Sequence, residues 1–127
     1  MSTILIVDDE LAIQRMLSYV LRKDQHSVLT AGSAEEALAK LNSHAVDIVL
    51  LDVAMPDIDG IALLQRLRAT PDYLELPIVM LTASPDERKR IQAIAAGANA
   101  YLNKIASPRE LIDTVDALLQ KASKSVF

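Results

Sequence analysis

Four aspartates, a threonine and a lysine stand where five apolar runs end: Asp8, Asp9, Asp52, Asp57, Thr82 and Lys104. A run of aliphatic residues has no packing use for charge at its end, so these positions point to a site. Where the first and third runs lie side by side, Asp8, Asp9 and Asp52 share one crevice. Two unit charges ~5 Å apart repel by roughly 3 kcal/mol at an effective dielectric of ~20, so three carboxylates call for a counter-ion. A hard divalent cation with oxygen ligands is the natural one, and Mg²⁺ takes one or two carboxylates, waters and phosphate oxygens. Lys104 offers a point charge and Thr82 a hydroxyl, and both suit phosphoryl oxygens. A carboxylate placed beside Mg²⁺ and an ammonium can attack phosphorus and become an acyl phosphate. Each residue alone has an ordinary explanation as a cap, a loop start or a solvated charge; their joint placement does not. Asp57 follows Pro56 in a loop and is assigned no chemistry.

The elements that must position these residues are legible in the pattern. Apolar runs at 4–7, 27–30, 48–51 and 78–81, with a weaker one at 99–102, show little alternation, as expected of parallel strands buried on both faces. Between them lie segments of helical period. Ile13, Met16, Leu17, Val20 and Leu21 predict one apolar stripe. Ser33 and Glu36 form a capping box ahead of Ala34, Ala37, Leu38 and Leu41. Ile61, Leu64 and Leu67 mark a third helix ending before Pro71. Ile91, Ile94 and Ala95 mark a fourth, with Gly97 at its C′ position. Ser107, Pro108 and Glu110 start a fifth, followed by Leu111, Ile112, Val115, Leu118 and Leu119. Strict alternation predicts a (βα)5 α/β fold, a parallel sheet with helices on both faces. Such sheets bind ligands beyond the C-terminal ends of the strands.

The 127 residues suffice for one domain with one core, and half of them are apolar. A net charge of −4 argues against direct nucleic-acid binding. The absence of cysteine excludes disulfides and thiolate metal sites. The N-terminus lacks a basic region and its apolar run stops at Asp8, too short for a signal peptide or membrane span. A cytoplasmic protein without a membrane partner is the expectation.

The residue runs that carry these features resemble a response-regulator receiver domain from residue 3 to residue 120. They are Val7-Asp8-Asp9-Glu10, the stretch from Asp52 through Met55, Pro56, Asp57 and Asp59 to Gly60, Leu81-Thr82-Ala83, Gly97-Ala98, and Tyr101-Leu102-Asn103-Lys104. The resemblance implies a flavodoxin-like sheet of order 2-1-3-4-5, with a domain over 1–122 and residues 123–127 as a tail or the start of a linker to an output domain. It implies that Asp52 is the phosphoacceptor of a two-component phosphorelay, served by a sensor histidine kinase or phosphotransfer protein. Asp9, Asp52 and the Ala54 carbonyl would ligate Mg²⁺, Asp8 would hold a metal-bound water, and Lys104 would contact the phosphoryl group. Thr82 and Tyr101 resemble the family's switch pair, which repacks the face of the fourth helix, fifth strand and fifth helix. That face would meet an output domain or protein, with a phosphorylation-dependent homodimer as a further expectation. The domain would catalyse its own phosphorylation and dephosphorylation and would not be a turnover enzyme.

One departure concerns Lys104. The family has proline after this lysine, in a cis peptide; here it is Ile105. A cis bond before a non-proline residue costs ~2.5–4 kcal/mol, so a trans bond and a rearranged loop before Ser107 are expected. Ala54 is too small to orient a hydrolytic water, whereas Ser84 could shield the site or hydrogen-bond in it. The charged run 86–90 reads as a solvated face or as part of the output surface. Tyr73 reads as loop packing, and His26 and His44 as surface residues. Two other functions compete. A phosphohydrolase of the haloacid-dehalogenase type would need Asp-x-Asp after its nucleophile strand, and Asp52 is followed by Val53 and Ala54. A degenerate receiver acting as a phosphorylation-independent interaction module is the alternative that Ile105 keeps open.

Overall fold

The computed structural model describes residues 2–55, 58–84, 86–105 and 107–124. Pro56 and Asp57 lie outside them. The order is β1 (Thr3–Val7), α1 (Leu11–Lys23), β2 (Ser27–Ala31), α2 (Ala34–Ser43), β3 (Ile48–Asp52), α3 (Gly60–Arg68), a 3₁₀ turn (Pro71–Tyr73), β4 (Ile78–Thr82), α4 (Glu87–Ala95), β5 (Ala100–Asn103) and α5 (Pro108–Lys124). All strands are parallel, in the order β2-β1-β3-β4-β5. This is the doubly wound (βα)5, flavodoxin-like arrangement that the alternation and the resemblance imply.

The period-2 geometry of strands divides the core in two. Leu5, Val7, Val49, Leu51, Ile78 and Met80 face α2, α3 and α4. Ile4, Ile6, Val28, Ile48, Leu50, Val79 and Leu81 face Leu17 and Leu21 of α1 and Leu111 and Val115 of α5. Burial on both faces is why the strand sequences are continuously aliphatic.

The expected caps form. Ser33 Oγ accepts from the Glu36 amide at 3.1 Å, and Ser107 Oγ accepts from the Glu110 amide at 3.2 Å. Glu36 bonds back to the Gly32 amide at 2.8 Å, one residue before the cap. Gly97 has φ 109°, and the amides of Gly97 and Ala98 close onto the carbonyls of Ile94 and Ala93, both at 3.0 Å. That is a Schellman ending at the C′ glycine.

Two helix faces differ from the periodic reading. The buried face of α1 is Gln14, Leu17, Ser18 and Leu21, while Met16 points outward. The polar Gln14 and Ser18 occupy helical positions that an apolar count skips. In α4 only Ala93 is buried, with Ile91 and Ile94 56% and 42% exposed. This helix rests on the sheet through one small side chain. Tyr73 is half-buried against the core, in keeping with loop packing. His26 corrects the reading of a surface histidine: its side chain is only 11% exposed and pairs with Asp24 and Asp116. His44 is exposed as expected.

Candidate functional site

Register brings the acidic residues together. Val7 pairs with Leu51, so Asp8, one step on, comes alongside Asp52 at the end of β3. The Asp8 amide donates to the Ala31 carbonyl at 3.0 Å, and buried Gln14 Nε2 donates to the Asp8 carbonyl at 2.6 Å. Asp8 Oδ1 accepts from the Glu10 amide at 2.9 Å, which turns the chain into α1. Past Asp52, the Val53 amide continues the ladder to the Leu81 carbonyl at 2.9 Å, and the Ala54 amide donates to Asp52 Oδ1 at 3.2 Å. Gly60 N–H donates to the Val53 carbonyl at 2.7 Å. A Cβ at Gly60 would collide with the Asp52 carbonyl, so this glycine is required for the close return of the chain.

Asp8 and Asp52 are buried and Asp9 is exposed. Each of the three offers a carboxylate oxygen within 4.8 Å of the others. Lys104 follows β5 and its side chain is buried in the same crevice. Its Nζ lies 2.8 Å from Asp8 Oδ2, 3.2 Å from Asp52 Oδ2 and 3.2 Å from Glu10 Oε1. The Asp8 contact is an ion pair without good hydrogen-bond angles, leaving Oδ2 buried and without a hydrogen-bond partner. Burial pushes the Asp52 carboxyl up from its ordinary pKa, and the Asp8 charge adds to this; the Ala54 amide and Lys104 oppose them. Burial pulls Lys104 down, but its bonds to Asp8, Asp52 and Glu10 outweigh that and hold the ammonium charged.

The acidic set fits a hard divalent cation. It offers a buried Asp8 oxygen whose one close contact is the Lys104 ammonium, a second buried carboxylate whose ionised form is disfavoured, and a third open to solvent. The lysine alone does not neutralise three carboxylates.

Thr82 ends β4 with its hydroxyl turned into the following loop. It donates to the Ser84 carbonyl and accepts from the Ser84 amide, both at 3.2 Å. Tyr101 packs against the α2–α3–α4 side of the core, and its hydroxyl is buried without a partner. The Lys104 amide donates to the Thr82 carbonyl at 2.7 Å, tying β4 and β5 together at the site. No peptide bond among the described residues is cis, so Lys104–Ile105 is trans, as expected for a non-proline residue. Asn103 Oδ1 accepts from the Ile105 amide at 3.0 Å and closes this turn, with Ile105 itself 73% exposed. Lys104 therefore reaches the carboxylates without the proline.

Two contributors escaped the sequence reading. Glu10 is the third carboxylate on Lys104, and Gln14 anchors the end of β1. Nothing local connects Glu10 to Lys104, 94 positions away. Gln14 left a trace, as a polar residue in a helix flank otherwise set to be buried.

A doubly wound parallel sheet thus carries an acidic trio and a buried lysine together at the C-terminal ends of its strands. The model of the response regulator receiver domain matches residues 4–116, and the chain belongs to that family, the receiver domains of two-component systems. It is 39% identical over 124 residues to the transcriptional regulatory protein ResD of Bacillus subtilis (strain 168), covering 98% of this chain and 50% of that protein. It is 40% identical over 119 residues to the alkaline phosphatase synthesis transcriptional regulatory protein PhoP of the same organism, covering 94% of this chain and 49% of that protein. A crystal structure of a CheY-like receiver domain protein from Methanospirillum hungatei JF-1 superposes with a TM-score of 0.90 at 29% identity, covering 98% of both chains. The chain spans about half the length of these two curated relatives. Among the described residues no helix is long and apolar enough to cross a membrane.

Proposed function

We propose that the chain is a phosphoacceptor switch in which Asp52 receives a phosphoryl group from a histidine kinase or phosphotransfer protein in the cytoplasm. The observation that carries this reading is the convergence of Asp8, Asp9 and Asp52 with Lys104 bonded between two of them. An Asp52 oxygen attacks phosphorus, the P–N bond of the donor phosphohistidine breaks, and the leaving imidazole takes up a proton. The product is an acyl phosphate on Asp52. Lys104 is placed to follow the negative charge from the carboxylate to the phosphoryl oxygens. Asp8, Asp9, Asp52 and the Ala54 carbonyl would hold Mg²⁺, which when bound neutralises charge on the transferring group. Thr82 leaves Ser84 to hydrogen-bond the phosphoryl group, and Tyr101 repacks beside it. The loosely seated α4 supports this, since one buried alanine resists its movement. The exposed Ala54 methyl cannot direct a water, so hydrolysis receives no side-chain help there.

The domain acts on itself and is not a turnover enzyme. Its α4–β5–α5 face would signal to an output domain, as the names of its transcriptional relatives suggest, or to a second copy of itself. The test is incubation with acetyl phosphate and Mg²⁺ followed by intact mass. One added phosphoryl group is expected in the wild type and none in Asp52→Asn. No gain in the wild type under forcing conditions overturns the reading in favour of a phosphorylation-independent module.

A further inference from the structure

A second cluster lies at the opposite end of the sheet, just before β2. His26 Nε2 is 3.2 Å from Asp24 Oδ2 and 3.1 Å from Asp116 Oδ1, and one ligand atom from each of the three residues lies within 4.8 Å of the others. Local geometry sets the first two. α1 ends in a Schellman motif, with the Gln25 amide on the Arg22 carbonyl at 2.9 Å and the His26 amide on the Leu21 carbonyl at 3.2 Å. Gln25 occupies the left-handed C′ position at φ 68°, where glycine is usual. Asp116 comes from α5, 90 residues away.

We propose that Asp24, His26 and Asp116 form a transition-metal site suited to Zn²⁺, separate from the acidic site of the phosphoacceptor. Donor atoms around a tetrahedral Zn²⁺ with bonds of ~2.0–2.1 Å stand about 3.3 Å apart. The imidazole nitrogen already holds nearly that spacing to both carboxylates. One imidazole and two carboxylates leave a fourth position for water. The charge balance points the same way. Among the described residues neither Asp24 nor Asp116 has a lysine or arginine within ion-pair distance, and Lys23 Nζ instead sits 5.4 Å from the centre of the Tyr19 ring. Asp24 also stands at the negative end of α1, where a cation is favoured and a carboxylate is not. The burial of the His26 ring fixes Nε2 toward the carboxylates. Its Nδ1 is buried without a partner. Lack of a hydrogen-bonding group behind a ligating imidazole lowers metal affinity about 10–100-fold, so the site is weaker than a fully supported one. Bound Zn²⁺ would staple α5 to the α1–β2 connection.

The test is calorimetric titration of the full chain with ZnCl₂ in excess Mg²⁺, with Co²⁺ absorption as the readout of coordination geometry. One equivalent of Zn²⁺ is expected in the wild type and in Asp9→Asn, with a tetrahedral Co²⁺ spectrum. His26→Gln, which keeps a side-chain donor for the carboxylates, and Asp116→Asn, on an exposed helix face, should each weaken binding at least ~10-fold. An unchanged isotherm in both variants overturns the proposal. Loss of binding in Asp9→Asn also overturns it, by assigning the ion to the acidic site. Phosphorylation by acetyl phosphate is read separately, so the two sites stand or fall independently.

Discussion

The two ends of the sheet treat polar groups differently. At the N-terminal end, polar side chains near the strand starts close the structure. Asp47 Oδ2 accepts from the Thr3 amide at 2.7 Å, and Asn99 Oδ1 accepts from the Ile78 amide and from Arg68, both at 2.9 Å. Arg68 also donates to the Gly97 and Tyr73 carbonyls at 3.0 and 2.7 Å, joining the end of α3 to the α4–β5 turn. At the C-terminal end, Asp8 and Asp52 are buried beside each other, one oxygen lacks a hydrogen bond, and one lysine serves three carboxylates. At the starts of β1 and β4 these polar groups pair with backbone, whereas the crevice at the C-terminal end holds more negative charge than its one lysine balances. Such locally costly groups cluster where a protein does chemistry.

Substitutions at each end would sharpen or break this contrast. The largest effect is expected for Lys104→Met, which strands two buried carboxylates. Urea unfolding in EDTA should show a loss of about 3 kcal/mol, since removing one partner of a buried ion pair leaves uncompensated charge. Saturating Mg²⁺ should recover part of it; no recovery would mean that the carboxylates do not share a cation. Arg68→Met, in the paired network at the N-terminal end, should cost about 2 kcal/mol through its lost bonds and unpaired carbonyls. Its rate of phosphorylation by acetyl phosphate should stay at the wild-type value, and a matching loss of rate would erase the distinction between the ends.

Asp52→Asn should move stability the other way, by about 1 kcal/mol at pH 7. The folded state raises the Asp52 pKa through burial and the Asp8 charge, so it binds the proton more tightly than the unfolded chain. Stability from this group is therefore fully present below the unfolded value, near 3.8, and is lost as pH rises through the higher folded value. The gain in Asp52→Asn over wild type should shrink as pH falls toward ~4. A gain independent of pH in metal-free thermal melts would sink this account. The smallest effect is expected for Ile91→Ser on α4, within ~0.5 kcal/mol by chemical denaturation, because this residue is 56% exposed. A larger cost would show that α4 is seated more firmly than its single buried alanine implies.

Much of the fold was legible because local rules dictate it. Ser33, Ser107 and Gly97 specify helix ends through bonds to their own neighbours, and continuous aliphatic runs specify strands covered on both faces. In α4 the spacing of Ile91 and Ile94 marked the helix but not its buried face, which is Ala93, because spacing states a periodicity without saying what packs against it. His26 misled for the converse reason, since Asp116 lies far along the chain.

The sequence by itself determined the alternation of strands and helices, the caps, and the set of carboxylates, threonine and lysine at the strand ends. These follow from backbone propensity and from the cost of charge in an aliphatic run, both local quantities. Tertiary structure decided which groups meet. It put Glu10 on Lys104, turned Thr82 toward Ser84, buried the Tyr101 hydroxyl without a partner and brought Asp116 to His26. Contacts between residues far apart in the chain depend on register and on the packing of whole helices, and no local signal encodes them.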